Sequence, residues 1–326
     1  MKQKRSFLTG NNLQKYAPVF LMLILMTVLT VANDNFLTGQ SIYNLLSQVS
    51  ALGIVALGAM IVLLTAGIDF TAGFGLSLAG VTAGVVYIAS GNKGWVLIMV
   101  SILTGALVGL LNGVIIVGLK LNPFIATLAM MTVCKGVSMM VSEGRQVQIT
   151  SPGLLKLGSG KLFGFFPISF FVFVVVIIIM YILLNKTKLG IYTYAIGGNE
   201  EAVGYSGINK GFYKMMVYTV AGILYGSAAI ITCSQVTIIT SNISGDYLLD
   251  GIASAIVGGT SLLGGKGRIS GTIIGAFIIT LITTILNFFQ VPFLLREVIK
   301  GLIIIGILIF NAGIEKISVR MNLQVR

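Results

Sequence analysis

Long apolar runs, separated by short polar or glycine-rich segments, recur along almost the whole chain. A helix needs about 20 mainly apolar residues to cross the hydrocarbon core of a bilayer. The pattern predicts an all-α integral membrane protein, a bundle of about ten transmembrane helices. The predicted spans are 17–34, 46–66, 71–90, 94–118, 123–142, 167–185, 213–233, 247–264, 271–288 and 297–312.

The composition supports a membrane protein, with 56% hydrophobic residues, 9% charged residues and a mean hydropathy of +1.01. The net charge of +12 does not favour a nucleic-acid partner, because no Lys/Arg cluster interleaved with aromatic residues occurs. Basic residues of membrane proteins are instead enriched in cytoplasmic loops. Most Lys and Arg residues share one side if the N-terminus lies inside, which predicts cytoplasmic tails at 1–16 and 313–326 and one transmembrane domain at 17–312. The first span is expected to be a retained anchor, since equally apolar runs follow it.

The chain offers little equipment for catalysis. It contains no histidine, which excludes Ser/His/Asp and Cys/His nucleophile arrangements and histidine metal sites. The run GGTSLLGGKGR at 258–268 departs from the nucleotide-binding pattern G-x-x-x-x-G-K-[ST] at Thr260 and Gly267. Cys134 and Cys233 lie in or at the edge of apolar runs and are expected to pack as small apolar residues. The sequence therefore assigns no catalytic residue, metal or cofactor.

Glycines recur at every fourth position in several predicted spans. This spacing lets two helices approach closely within a bilayer. The glycines are interpreted as packing positions rather than as a binding site. They are Gly105, Gly109 and Gly113, and the pairs Gly80/Gly84, Gly222/Gly226 and Gly271/Gly275.

Asp69 lies in LLTAGIDFTAGFGLSLAG, between the second and third predicted spans. An ionisable residue at membrane depth is costly and is commonly functional. Two interpretations stay open. Asp69 or Thr71 could cap the helix that begins near residue 71 by accepting hydrogen bonds from its free N–H groups, and an interrupted helix could also border a transport pathway. Asp250, at the start of the eighth span, is a further candidate cap.

The segment YAIGGNEEAVGYSGINK, residues 194–210, is polar and glycine-rich between two apolar spans. The charge distribution places it in the cytoplasm, within a stretch at about 186–212. Its composition alone favours a solvated connector. Glu200 and Glu201 would favour the positive end of a helix, and Gly198 is expected to require a positive φ angle.

Several stretches resemble the permease subunits of bacterial ABC sugar importers of the ribose type. They are AGIDFTAG around Asp69, NGVIIVGLKLNPFIATLAMMTVCKG at 112–136, LGIYTYAIGGNEEAVGYSGIN at 189–209, and DGIASAIVGGTSLLGGKGRISGTIIGAF followed by VIKGLIII. The resemblance implies an all-helical pore made by two permease subunits in the bacterial cytoplasmic membrane. It also implies two cytoplasmic ATP-binding subunits and an extracytoplasmic binding protein that delivers the sugar.

The resemblance assigns roles to individual residues. In similar importers a short cytoplasmic helix between membrane spans docks in a groove of the ATPase subunit. A broken helix with an acid suits a polyhydroxyl cargo, so Asp69, Phe70 and Thr71 are expected to border the sugar pathway. The segment at 194–210 is expected to be this docking helix. Its residues that match the family, which we call the coupling signature, are Gly197, Gly198, Asn199, Glu200, Glu201, Ser206, Gly207 and Asn209.

The cargo is less well defined than the transporter class. Similar permeases usually read GIDLSVGS where this chain has GIDFTAGF, and Leu248 stands where they usually have glutamate. A monosaccharide such as ribose is the expected cargo, and the furanosyl signal autoinducer-2 is an alternative within the family. A gradient-driven secondary transporter that uses Asp69 ranks lower, and a membrane-embedded enzyme ranks last because Asp246 in ISGD has no evident catalytic partner.

Overall fold

The computed structural model describes residues 10–32, 34–243, 246–292, 295–307 and 309, with side chains from residue 17 onward. Helices dominate, and four two-residue strands form two short pairs. The elements are α1 Gly10–Ala32, α2 Gly39–Leu63, α3 Thr71–Ala89, α4 Gly94–Gly118, α5 Pro123–Ser142, β1 Val147–Gln148, α6 Pro152–Ser159, β2 Lys161–Leu162, β3 Phe166–Pro167, α7 Ile168–Lys186, α8 Lys188–Gly198, α9 Glu200–Tyr205, α10 Lys210–Val236, β4 Ile238–Ile239, α11 Tyr247–Val257 and α12 Ile269–Phe288. A further helical run occupies 295–307.

Within the described residues, seven helices are long and apolar enough to cross a membrane, namely α2, α3, α4, α5, α7, α10 and α12. Each overlaps a predicted span, although α2 begins at Gly39, well before the predicted start at 46. The prediction of an all-α membrane protein is confirmed. The predicted span 17–34 corresponds to the shorter apolar stretch Ala17–Ala32 of α1, and 297–312 corresponds in part to the run 295–307. The tail 313–326 and residues 1–9 lie outside the described residues, so the cytoplasmic placement of both termini stays a prediction.

The predicted span 247–264 is helical only over Tyr247–Val257. Its 11 residues reach about 16 Å at about 1.5 Å per residue, roughly half the thickness of a hydrocarbon core. The helix ends at two glycines. Gly259 adopts a φ of +92°, and a side chain at Gly258 would overlap the backbone of Gly271. Residues 258–268 consequently form a loop, and the span was predicted too long because an apolar, glycine-rich loop resembles a helix in hydropathy.

Two series of glycines bring α4 and α10 into backbone contact. A Cβ atom at Gly105 would overlap the carbonyl oxygen of Gly222, and one at Gly222 would overlap the carbonyl oxygen of Gly105. The close approach allows the Ser101 hydroxyl to donate a hydrogen bond of 2.8 Å to the carbonyl oxygen of Gly226. The interpretation of the four-residue spacing as helix packing is confirmed for these residues.

The segment between α5 and α7 is structured by short backbone pairings. β1 pairs antiparallel with β4, which follows α10, with Val147 opposite Ile239. β2 pairs with β3 immediately before α7. These pairings satisfy backbone groups in a loop that is predicted to lie outside the cell.

A topology test uses α7, which separates two predicted loops. A reporter fused after Lys188 is expected to read cytoplasmic and one after Ser159 external, because a single membrane-crossing helix lies between them and the basic residues favour this orientation. Paired fusions to alkaline phosphatase and a fluorescent protein measure the side. The reversed pattern, or both reporters on one side, would contradict the predicted topology.

Candidate functional site

Asparagine side chains divide the polar segment between α7 and α10 into separate helices. The Asn199 Oδ1 atom accepts a hydrogen bond of 2.9 Å from the backbone N–H of Ala202 and caps α9. The Asn209 Oδ1 atom accepts one of 3.0 Å from the backbone N–H of Phe212 and caps α10. Each cap satisfies a donor that the first helical turn leaves free. Two residues of the predicted coupling signature thus have a local structural role.

Glu200 joins α9 to the start of α10 through ion pairs. Its carboxylate lies 2.5 Å from the Lys214 ammonium and 3.4 Å from that of Lys210. Partial burial favours the protonated carboxyl group, but the hydrogen bonds and charges of Lys214 and Lys210 outweigh this and hold the pKa of Glu200 below its ordinary value. Glu201, by contrast, is exposed. Glu200 therefore holds the segment together, whereas Glu201 is accessible to a partner.

The glycines of the segment differ in what surrounds them. Gly207 has a φ of +76°, the left-handed conformation that glycine adopts readily. The expectation of a positive φ at Gly198 is wrong, because Gly198 ends α8 and is absent from the residues with positive φ. A Cβ atom at Gly198 would meet open space, whereas one at Gly197 would overlap the carbonyl oxygen of Leu64. Of this glycine pair, Gly197 is the one that packing requires.

Asp69 and Thr71 lie in the packed interior, with 2% and 0% of their surface exposed. The Asp69 Oδ1 atom accepts hydrogen bonds of 2.9 Å from the Thr71 backbone N–H and 2.5 Å from the Thr71 hydroxyl. These bonds are of the capping kind, since Thr71 is the first residue of α3. The second oxygen, Oδ2, is buried, and the carboxyl group also interacts with the Tyr225 hydroxyl.

Phe70 connects this turn to α5. Its backbone N–H donates a hydrogen bond of 3.2 Å to the Thr127 hydroxyl, and its ring stands edge-on to that of Phe124 at a centroid distance of 5.0 Å. Phe70 is only partly buried. It is the most exposed of the three predicted pathway residues.

Polar residues from other helices complete the buried site around Asp69. The Asn112 amide donates a hydrogen bond of 3.0 Å to the Thr71 hydroxyl. The hydroxyl oxygens of Tyr218 and Tyr225 and the Asn112 Oδ1 atom are buried. The sequence pattern did not mark Asn112, Tyr218 or Tyr225 as parts of a site. Each is a polar residue within an apolar run, and such a pattern does not show which neighbouring helix the side chain faces.

Asp250 does not cap α11, as was predicted for it. It lies in the first turn of the helix, after the N-cap residue Asp246. Its Oδ2 atom lies 3.2 Å from the Lys300 ammonium, and both side chains are largely buried, at 12% and 8% exposure. The pair joins α11 to the helical run 295–307.

The described part of the chain contains no candidate metal site built from clustered ligands. No cluster of three or more His, Cys, Asp or Glu residues occurs among them. Cys134 and Cys233 are free and buried. Their burial confirms the prediction that they pack as small apolar residues.

The chain matches the family described as branched-chain amino acid transport system / permease component over residues 41–308. It is 38% identical to the ribose import permease protein of Bacillus subtilis over 93% of this chain and 94% of that protein. It is 34% identical to the ribose import permease protein of Haemophilus influenzae over 94% and 95% of the two chains.

A galactose/methyl galactoside import permease protein of Escherichia coli is also similar, at 31% identity over 93% of this chain and 94% of the relative. No solved structure matches the chain significantly. The seven apolar helices agree with a multi-pass protein of the bacterial cytoplasmic membrane, and a permease component is a transport subunit rather than an enzyme. The chain therefore belongs to the family of permease components described for the branched-chain amino acid transport system.

Proposed function

We propose that the chain is the permease subunit of an ATP-binding cassette importer for a monosaccharide such as ribose or a related sugar. The observation that carries the proposal is the similarity, over more than nine-tenths of the chain, to proteins named for the import of ribose. The chain forms the translocation pathway. Separate cytoplasmic subunits hydrolyse ATP, and an extracytoplasmic binding protein delivers the sugar.

Uptake of labelled ribose in vesicles tests this function. Uptake is expected to require a catalytically active ATPase subunit and to stop when that subunit is inactivated. Uptake that persists and follows an ion gradient would support the secondary transporter instead. Competition by unlabelled ribose, galactose and autoinducer-2 identifies the cargo, and preference for the last would favour the autoinducer-2 alternative.

A second permease subunit is proposed to cover the exposed face of α5. Lys135 is exposed on this helix, and its ammonium lies 5.4 Å from the centroid of the Phe74 ring. A lysine that faced lipid within a membrane span would be costly. The exposed Lys135 and the neighbouring Thr132 and Gly136 support a protein-facing or pathway-facing side, as expected for a pore formed by two subunits.

The proposed ATPase-docking surface is the exposed part of α9 and the turn that follows it. Glu201, Ser206 and Gly207 are exposed, and the Tyr205 side chain is 90% exposed. Aromatic residues are enriched at protein interfaces. Beside this surface lies a cavity of about 570 Å³ whose polar lining consists of Glu200, Lys120, Lys210 and Lys214.

Reversing the charge of Glu201 tests the docking surface. Glu201→Lys is expected to lower co-purification of the ATPase subunit and sugar-stimulated ATP hydrolysis several-fold, because it changes an exposed contact without disturbing the Glu200 ion pairs. Gly198→Val should act similarly, because Gly198 is exposed just before α9 and the valine would project into space that the ATPase subunit is proposed to occupy. Asp34→Lys, an exposed change at the predicted external end of the first span, is the control. Wild-type values for both test variants would leave the segment as a connector.

Two substitutions at Asp69 separate the cap from the pathway. Asp69→Asn retains an acceptor for the Thr71 donors but removes the charge, and it is expected to accumulate normally while taking up sugar several-fold more slowly. Asp69→Ala removes both and is expected to reduce protein abundance in the membrane. Normal uptake by the Asn variant combined with loss of the Ala variant would indicate a cap alone. Normal abundance and uptake of the Ala variant would exclude both roles.

A further inference from the structure

Three backbone segments meet at a junction formed by Leu64, Gly197, Gly264 and Gly265, which we call the glycine junction. The backbone N–H of Gly265 donates a hydrogen bond of 3.0 Å to the carbonyl oxygen of Leu64. A Cβ atom at Gly197 would overlap both that oxygen and the Gly265 nitrogen. The end of α2, the end of α8 and the loop 258–268 therefore touch through main-chain atoms.

The loop residues are held in a conformation that glycine favours. Gly264 and Gly265 have φ angles of +82° and +69°. A Cβ atom at Gly264 would lie 2.8 Å from the Ala66 nitrogen and 2.9 Å from the Gly197 Cα atom. A side chain at either position would thus be both strained and crowded.

One hydrogen bond closes the loop on itself, and another fixes it against α8. The Ser261 backbone N–H donates one of 2.8 Å to the carbonyl oxygen of Lys266, which closes the loop on itself. The Tyr194 hydroxyl donates one of 3.1 Å to the carbonyl oxygen of Gly267. Because Tyr194 belongs to α8, this bond and the main-chain contact at Gly197 hold the loop against α8 at two places.

The junction is continuous along the chain with the buried turn at Asp69. Leu64 follows α2 and is fully buried, and Asp69 comes five residues later. Between them, a Cβ atom at Gly67 would lie 2.5 Å from the Tyr218 hydroxyl oxygen, so this stretch is also tightly packed. A displacement of Leu64 would therefore act on the Asp69 turn over a short, constrained path.

We propose that the glycine junction transmits movement of the α8–α9 segment to the Asp69 turn, and so couples the ATPase partner to the pathway. This rests on the proposed function, in which α9 docks the ATPase. Close-packed main-chain atoms yield little when displaced, whereas a contact between long side chains could absorb the movement by rotamer changes. Gly197, Gly264 and Gly265 act in this proposal as positioning residues, because their close neighbours are mainly main-chain atoms of this chain.

The test adds one methyl group at Gly197. In the complete transporter reconstituted in vesicles, Gly197→Ala is expected to retain the ATPase subunit and its sugar-stimulated hydrolysis. The sugar transported per ATP hydrolysed is expected to fall about tenfold, near the upper range for mutations that alter coupling between sites. Purely structural damage would lower retention, hydrolysis and uptake together, and that result would overturn the proposal.

Gly118→Ala is the matched comparison, because it adds the same methyl group where nothing lies within 4 Å. Gly118 belongs neither to the coupling signature nor to the junction, so its ratio of sugar transported to ATP hydrolysed is expected to equal that of the wild type. An equal ratio in the Gly197 and Gly118 variants would overturn the glycine junction as the coupling element. Failure of the wild type to show ATP-dependent uptake would instead refute the proposed function.

Hydrogen exchange in the wild-type transporter gives a readout that needs no variant. The Gly265 N–H is bonded to Leu64 and the Thr71 N–H to Asp69. Peptides covering 258–268 and 64–72 are expected to change protection together when the ATPase subunit is trapped with bound nucleotide. Unchanged protection in either peptide would contradict transmission through the junction, even if Gly197→Ala fails to accumulate.

Discussion

Replacing Lys300 with methionine is expected to lower the free energy of unfolding by about 3–5 kcal/mol, the usual cost of removing one partner from a buried ion pair. The Lys300 ammonium lies 3.2 Å from Asp250 Oδ2 and 3.0 Å from Glu297 Oε1. The Asp250 side chain is only 12% exposed, and its other oxygen is buried without a partner. Without the lysine, a carboxylate would remain in the packed interior with no cation to compensate it.

A double substitution distinguishes the pair from simple packing. Asp250→Asn combined with Lys300→Met removes both charges and should recover most of the lost stability, because Glu297 is half exposed and can be solvated. Arg145→Met breaks the ion pair with Glu143, whose side chains are 81% and 70% exposed, and should cause no measurable change. Thermal unfolding in detergent and abundance in the membrane are the measurements. A double variant no more stable than Lys300→Met would contradict the ion-pair explanation.

Gly105→Ala should also destabilise the protein strongly, by about 2–3 kcal/mol. The added methyl group would overlap the carbonyl oxygen of Gly222 and lie 3.0 Å from the Gly226 Cα atom. Backbone atoms on α10 cannot move aside by changing rotamer, so the two helices must separate. Separation would also lengthen the hydrogen bond from Ser101 to Gly226.

Gly118→Ala provides the control for Gly105 on the same helix. Gly118 is the last residue of α4, and a Cβ atom there would meet nothing within 4 Å. Alanine also has a higher helix propensity than glycine, so this variant should be as stable as the wild type or more stable. Unfolding temperatures of the two variants, compared in one detergent, test the difference. Equal values would mean that the α4–α10 contact tolerates separation.

The glycine spacing shows how far local pattern extends into tertiary structure. A four-residue repeat predicts a close helix contact wherever it occurs, and the repeat beginning at Gly105 does form one. The repeat does not specify its partner, because Gly222 lies more than a hundred positions away and any other small-residue face would satisfy the same rule. The pairing of α4 with α10 depends on how all the helices pack together.

The charged residues show what a local sequence pattern cannot predict. Asp250 was predicted to cap a helix because it precedes an apolar run, and a local reading could not identify Lys300, 50 positions later, as its partner. Asn199 and Asn209, in contrast, make contacts within three residues along the chain. Such local hydrogen bonds follow from helix geometry alone, whereas an ion pair between helices requires their relative positions.

Hydropathy along the chain was sufficient to predict the membrane class, the approximate positions of the seven long apolar helices and the polar segment between α7 and α10. Each span must be apolar enough by itself to lie in lipid, so its own residues reveal it. The length of α11 and the surroundings of Asp69 were decided by tertiary packing. Tertiary packing also brought Leu64, Gly197 and Gly265 into contact. Each of these depends on main-chain or side-chain atoms from distant segments occupying the same small volume, and the energy of such contacts exists only once the helices have packed.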